Sequence, residues 1–218
     1  MTPGVTLARP LVGVVAVQGA FAEHEAALRA VGAATRQVRT SGDLEGLDGL
    51  VIPGGESTTL GLVAGASGLL DALRELVAGD RMPVLGTCAG MIMLAARIAG
   101  GAEPLVGGLD ITVRRNAFGA QVASFEAEIT VPLVGDEPLT AVFIRAPWIE
   151  AAGRGVEVLA SYDGHAVAAR QGDFLVTAFH PELTDDRRVH SWFVDRVRAR
   201  RTAAAAEHRK EESDVRAQ

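Results

Sequence analysis

The residue best suited to chemistry in this chain is Cys88, which is the only cysteine in 218 residues. It stands in the pattern Gly86-x-Cys88-x-Gly90, between an apolar run that predicts a buried strand and a second run that predicts a helix. A sharp strand-to-helix turn needs small flanking residues, and the helix N-terminus beneath the sulfur favours the thiolate. A free cysteine is most often a small buried apolar residue, but the two glycines at this spacing favour a nucleophile.

A base for this thiol is predicted where another strand ends. The apolar run 174–179 leads directly into His180-Pro181-Glu182, and the proline should end the strand. A histidine can take a thiol proton, and a carboxylate can orient the imidazole. The pattern therefore predicts a triad of Cys88, His180 and Glu182. The other histidines fit a base less well, because a base must reach the nucleophile; they are His24, His165, His190 and His208.

A glycine-rich loop is the second informative stretch. Pro53-Gly54-Gly55-Glu56-Ser57-Thr58-Thr59 follows an apolar run that predicts a strand over 47–52. Paired glycines let backbone N–H groups approach a ligand, and Ser57 or Thr58 is expected to cap the next helix. Since ligands of open α/β sheets lie beyond the carboxyl ends of the strands, this loop and Cys88 should share one edge. A plain glycine turn is the alternative, and a P-loop is excluded because no Gly-Lys-Ser/Thr follows.

Three arginines lie in loops or at strand ends further along the chain: Arg114, Arg115 and Arg145. Each could be an ordinary solvated charge. The alternative is an anchor for a substrate carboxylate, which the forked guanidinium suits.

The order of apolar runs predicts an α/β fold. A continuous apolar run predicts a buried parallel strand over 11–17, and further strands are predicted over 35–38, 47–52 and 83–85. Helices are expected over 21–31, 69–77 and 91–96. On the first helix, Glu25 is expected away from the apolar side. Short β-prone segments from 111 onward predict an antiparallel extension, with a hairpin turn at Asp163-Gly164. We therefore expect three layers, with a mostly parallel central sheet, helices on both faces and a small antiparallel extension.

Length and composition limit the function classes. The chain suits one substantial α/β domain, and its net charge of −6 argues against general nucleic-acid binding. A lone cysteine favours a reducing cytoplasm, and no apolar run approaches a membrane span. We expect an N-terminal extension over 1–10, one domain over 11–201 with a closing helix from 185, and a charged tail over 202–218 that is disordered or a frayed helix.

Taken together, the motifs resemble those of the class I (triad) glutamine amidotransferases, which have a flavodoxin-like α/β fold. The finer resemblance, over about residues 11–200, is to the glutaminase subunit family of pyridoxal 5′-phosphate synthase. The segments that carry it are Gln18-Gly19-Ala20, Glu23-His24, Pro53 to Thr59, Gly86 to Gly90, Arg115-Asn116-x-Phe118-Gly119, Phe143 to Pro147 and Phe179 to Thr184.

The resemblance implies hydrolysis of L-glutamine to glutamate and ammonia, with Cys88 as nucleophile, His180 as general base and acid, and Glu182 as its orienter. The implied glutamine-binding residues are Gly55, Glu56, Ser57, Arg115, Ile144 and Arg145. The implied oxyanion hole is made of the backbone N–H groups of Gly55 and Ala89.

The resemblance also implies a partner. Ammonia would pass to a separate (β/α)8 synthase subunit, in assemblies of twelve synthase and twelve glutaminase subunits, and Gln18 would help to face that partner. No metal or cofactor is implied, since pyridoxal 5′-phosphate is the product of the complex.

Two alternatives remain at this point. One is a glutaminase that serves a different synthase, against which the Phe143 to Pro147 stretch argues. The other is a non-enzymatic redox-sensing α/β module with Cys88 as an oxidisable thiol, although a sensor needs no orienting carboxylate.

Overall fold

The computed structural model describes residues 8–79, 82–118 and 124–216, which form five α-helices and twelve strands. The helices are α1 (Phe21–Ala30), α2 (Ser57–Ala66), α3 (Leu69–Ala78), α4 (Ala89–Leu94) and α5 (Arg188–Arg216). The strands are β1 (Leu11–Val15), β2 (Ala34–Val38), β3 (Gly49–Ile52), β4 (Val84–Thr87), β5 (Ala95–Ile98), β6 (Leu109–Arg114), β7 (Ser124–Ile129), β8 (Leu139–Ile144), β9 (Trp148–Ala152), β10 (Glu157–Tyr162), β11 (His165–Gln171) and β12 (Phe174–Thr177).

A ten-stranded central sheet dominates the described part of the chain, in the order β2-β1-β3-β4-β12-β11-β9-β6-β5, with β10 also paired to β11. The pairs from β2 to β12 are all parallel. Every residue of β3, β4 and β12 is buried, which explains their continuous apolar runs. The helices cover both faces: α1 contacts α5, and α2 contacts α3 and α4. The expected three-layer, mostly parallel architecture is confirmed.

The antiparallel extension is also present. Strands β6, β9, β10 and β11 continue the main sheet in antiparallel pairs, while β7 and β8 form a separate two-stranded sheet. The predicted hairpin turn joins β10 to β11, with φ of 49° at Asp163 and 76° at Gly164.

Some local features differ from the prediction. Ala95 and Ala96 begin β5 instead of ending a helix, and β9 was not predicted at all. Glu25 is buried, with 6% of its surface exposed. Its carboxylate accepts hydrogen bonds from Arg29, Thr35 and Gln37, so polar partners on α1 and β2 allow a charge to lie inside.

The closing helix begins three residues later than predicted and runs through Arg216, so most of the predicted tail is helical. Residues 1–7 of the predicted extension, Gly119 of the Arg115 motif and residues 217–218 lie outside the described residues. None of the helices in the described ranges is both long and apolar enough to cross a membrane.

Candidate active site

Cys88 occupies the predicted turn between β4 and α4. Its backbone has a φ of 49° and a ψ of −104°, which L-residues adopt rarely and mostly at functional sites. The flanking glycines make this turn possible. A Cβ at Gly90 would lie 2.0 Å from the carbonyl oxygen of Ile52, and one at Gly86 would lie 2.9 Å from the carbonyl carbon of Gly90. Small residues are therefore required on both sides of the cysteine.

His180 follows β12, which pairs in parallel with β4 so that Thr177 lies opposite Thr87. The regular strand ends at Thr177, two residues earlier than predicted. The Nδ1 atom of His180 lies 2.7 Å from Oε1 of Glu182, and both side chains are buried. Since Nδ1 is engaged, Nε2 is the nitrogen left to serve Cys88. The adjacent strand ends thus bring the three predicted catalytic residues together.

This arrangement favours a charged imidazole. Burial disfavours the charged form of His180, but hydrogen bonds to Cys88 and to Glu182 outweigh it and raise the pKa of His180 to about 10. Burial likewise disfavours the Glu182 carboxylate, yet the neighbouring histidines His24 and His180 lower its pKa overall. The site therefore supports an imidazolium held beside a carboxylate.

We expect the His180 ring to be protonated at neutral pH. A histidine Cε1–H NMR titration should show one resonance that titrates near pH 10, and His180→Asn should remove it. The folded-state pKa exceeds the ordinary value of 6.5, so this protonation stabilises the fold fully below pH 6.5. The stabilisation should be lost as the pH rises toward about 10. A His180 resonance that titrates below pH 7 would contradict this prediction.

A cavity of about 340 Å³ opens over the sulfur. It is lined by Gly55, Glu56, Ser57, Thr58, Cys88, Ile92, Arg115, Asn116, Ile144, Arg145 and His180. All six residues implied to bind glutamine are among them, whereas Glu182 lies behind His180 and Ala89 is fully buried. In the described residues only four non-glycine residues have positive φ, and three of them, Cys88, Asn116 and Arg145, line this cavity. Such clustering is typical of functional sites.

The loop after β3 differs from expectation in its cap. Glu56, and not Ser57 or Thr58, caps α2: its carboxylate accepts from the backbone N–H of Thr58 at 3.0 Å and of Thr59 at 2.7 Å. These bonds lower the pKa of Glu56 to about 2. The Arg115 guanidinium donates to the hydroxyls of Ser57 and Thr58. Two predicted binding residues, Ser57 and Arg115, therefore bind each other across the mouth of the cavity.

Sequence reasoning missed the buried polar groups behind the triad. His24 Nε2 lies 3.1 Å from Thr87 Oγ1 and 3.2 Å from Glu182 Oε2, and His24 Nδ1 lies 3.0 Å from Nε2 of His190. The sequence did contain one indication that His24 is buried. His24 falls at helical spacing between Phe21 and Leu28, on the side of α1 that faces the core.

Comparisons with known proteins identify the class of fold. A solved structure described as a glutamine amidotransferase superposes with a TM-score of 0.80 at 46% identity, covering 85% of this chain and 98% of that one. The structure of PurLQS from Thermotoga maritima has a TM-score of 0.63 at 16% identity, covering 86% and 98%, which shows a shared fold only. The fold is that of the class I glutamine amidotransferases.

Sequence comparisons identify a particular family within this fold class. The sequence profile of the SNO glutamine amidotransferase family matches residues 14–199. The subunit PdxT of pyridoxal 5′-phosphate synthase from Streptomyces avermitilis is 55% identical over 195 residues, covering 88% of this chain and 96% of that protein. The same subunit from Mycobacterium avium is 56% identical over 196 residues, covering 88% and 98%. The chain belongs to the SNO glutamine amidotransferase family.

Proposed function

We propose that this chain is the glutaminase subunit of a pyridoxal 5′-phosphate synthase, which hydrolyses L-glutamine and passes the ammonia to a separate synthase subunit. The observation that carries the proposal is the cavity over Cys88, where a His180–Glu182 pair stands behind a thiol on a strained turn. The relatives named PdxT, which are 51% to 56% identical to this chain, support the choice of synthase.

The reaction begins at the sulfur. Transfer of the Cys88 thiol proton to His180 Nε2 gives the thiolate and the charged imidazole described above, and the thiolate attacks the side-chain carboxamide carbon of glutamine to form a tetrahedral oxyanion. His180 Nε2 then protonates the departing nitrogen, ammonia leaves, and a thioester remains. A water molecule, deprotonated by the same nitrogen, cleaves the thioester and releases glutamate. Glu182 keeps its bond to Nδ1 throughout, which holds the ring and favours its charged form.

Binding residues surround this centre. We infer that the backbone N–H groups of Gly55 and Ala89 form the oxyanion hole, since they flank the sulfur on the loop after β3 and at the start of α4. The remaining glutamine contacts are assigned to cavity-lining residues: Glu56, Ser57, Arg115, Ile144 and Arg145. Because both Glu56 oxygens accept from Thr58 and Thr59, Glu56 contacts substrate through its backbone or through a carboxylate whose position the cap fixes.

Assembly and location belong to the same proposal. We infer a catalytic unit over 11–201, a synthase partner in a twelve-plus-twelve complex, and a role for Gln18 at the partner-facing surface. A cytoplasmic location suits a nucleophilic thiol that must stay reduced.

The test is ammonia release from L-glutamine by the purified full-length chain, alone and with the pyridoxal 5′-phosphate synthase subunit of the same organism, with Cys88→Ala as the blank. We expect the partner to stimulate ammonia release, and we expect no release from Cys88→Ala. Equal turnover with and without the partner would contradict partner control of the site. No release in either condition from a folded chain would instead favour another synthase or the redox-sensing alternative, which iodoacetamide and peroxide labelling of Cys88 would then examine.

A further inference from the structure

Two buried histidines lie behind the triad and take no part in the reaction steps above. His24 on α1 and His190 on α5 are fully buried, and their rings meet at 3.0 Å between Nδ1 and Nε2. Burying a polar side chain costs free energy unless it is hydrogen-bonded, and His190 Nδ1 has no hydrogen-bond partner among the described residues. Two apolar side chains could fill the same space between the helices without that cost. Packing alone therefore does not explain why His24 and His190 occupy these positions.

The partners of His24 fix its tautomer. Glu182 Oε2 has no hydrogen-bond partner among the described residues, and His24 Nε2 faces it at 3.2 Å. A carboxylate presents only lone pairs, which would repel a lone pair on this nitrogen, so the contact favours the tautomer in which His24 Nε2 carries the proton. Burial lowers the pKa of His24, outweighing the attraction of Glu182 and Glu23, and burial with the nearby His24 lowers the pKa of His190 to about 3. Both rings are therefore neutral. His24 Nδ1 must then accept from the Nε2–H of His190.

The same nitrogen reaches a second element of the site. His24 Nε2 lies 3.1 Å from Thr87 Oγ1, which accepts the backbone N–H of Gly54 at 3.0 Å. Gly54 in turn lies against the catalytic pair, because a Cβ there would fall 2.2 Å from Cε1 of His180 and 3.2 Å from Cβ of Cys88. One N–H group therefore contacts both the orienting carboxylate and the hydroxyl that holds the glycine loop.

We propose that His24 is a positioning residue that holds Glu182 and, through Thr87, the Gly54-Gly55 loop in register with Cys88, while His190 holds His24 in the donating tautomer. This inference rests on the proposed glutaminase function. His24 does not line the cavity, so its loss should act on the chemical step and not on substrate binding.

Three substitutions at one position separate this role from simple packing. His24→Gln can place an amide N–H where imidazole Nε2 lies, His24→Asn places one near Nδ1, and His24→Leu provides neither. In the full-length chain with its synthase subunit, we expect kcat to fall about 10- to 100-fold for Asn and Leu, because both lose the hydrogen bond to Thr87 and the contact with the charged Glu182 carboxylate. Gln should stay within about 5-fold of the wild type, and KM for glutamine should change less than about 2-fold in all three.

A second readout responds only to the triad. The hydrogen bond between His180 and Glu182 helps to raise the pKa of His180 to about 10. If His24 positions Glu182, the pKa of His180 measured by NMR should fall below the wild-type value in the Asn and Leu variants and should remain unchanged in the Gln variant. His165→Gln is the matched control, since His165 lies outside the active-site cavity and stacks on Trp148 at 3.5 Å. It should leave kcat and the His180 titration unchanged.

The outcomes are distinguishable. If the wild-type complex releases no ammonia, the proposed function fails. If the wild type is active but Asn and Gln lose kcat equally, or the His180 titration stays unmoved while kcat falls, the positioning role is wrong. Thermal unfolding identifies any variant that fails to fold, and the Asn-versus-Gln comparison at matched folded fraction still decides the proposal.

Discussion

Glutamine hydrolysis is expected to fall at least about 10³-fold when either Cys88 or His180 is replaced by alanine, the scale seen when one member of a nucleophile–base unit is removed. Cys88→Ala removes the atom that bonds to the carboxamide carbon. His180→Ala removes the nitrogen that is proposed to take the thiol proton and to return it to the departing ammonia. The measurement is steady-state ammonia release by the complex with its synthase partner.

The double variant gives the sharper result. Because the two side chains act in one proton transfer, Cys88→Ala with His180→Ala should be no slower than either single variant. Glutamine affinity, measured by calorimetry, should change little in Cys88→Ala because the rest of the cavity lining remains. His165→Ala, which removes a histidine outside this cavity, should retain wild-type turnover. Multiplicative losses in the double variant would show that the two residues act independently and that the triad is wrong.

The parts of the site that could be predicted are those at strand ends. Cys88 and His180 each follow an apolar run, and adjacent parallel strands end at one edge of the sheet. Their proximity therefore followed once β4 and β12 were expected in the same sheet. Gly86 and Gly90 were predictable for a related reason, since a turn that sharp leaves no room for a Cβ on either side.

Contacts between distant elements could not be predicted in this way. His24 and His190 are 166 residues apart in sequence and lie on different helices. Helical periodicity indicates that His24 faces inward, but it does not indicate which residues His24 contacts. Glu25 was placed outside because charge usually is, yet Arg29, Thr35 and Gln37 satisfy it inside. Glu56 was assigned to substrate from its motif, while its capping role depends on the backbone conformation at the start of α2.

The stability of the fold is expected to depend strongly on Gly90. In Gly90→Ala the added methyl group would stand 2.0 Å from the carbonyl oxygen and 2.9 Å from the carbonyl carbon of Ile52. These are backbone atoms of a fully buried strand, so β3 and α4 must separate to admit the methyl group. Overpacking of this kind costs about 1–3 kcal/mol or more, which corresponds to a fall in Tm of roughly 3–10 °C for a chain of this size. Calorimetry or circular dichroism measures the change.

A second helical glycine provides the matched control for this prediction. At Gly65 in α2, a Cβ would meet nothing closer than Leu70 Cδ2 at 4.0 Å. Gly65→Ala should therefore stabilise the chain by about 0.5–1 kcal/mol, because alanine loses less backbone freedom than glycine when a helix forms. The same chemical change should thus have opposite signs at the two positions. A Gly90→Ala variant as stable as the wild type would mean that α4 can shift away from β3 at little cost. In that case the close approach of Gly90 to Ile52 would not be what maintains the strained backbone at Cys88. Comparing the turnover of Gly90→Ala with that of the wild type would then measure how much this approach contributes to positioning the nucleophile.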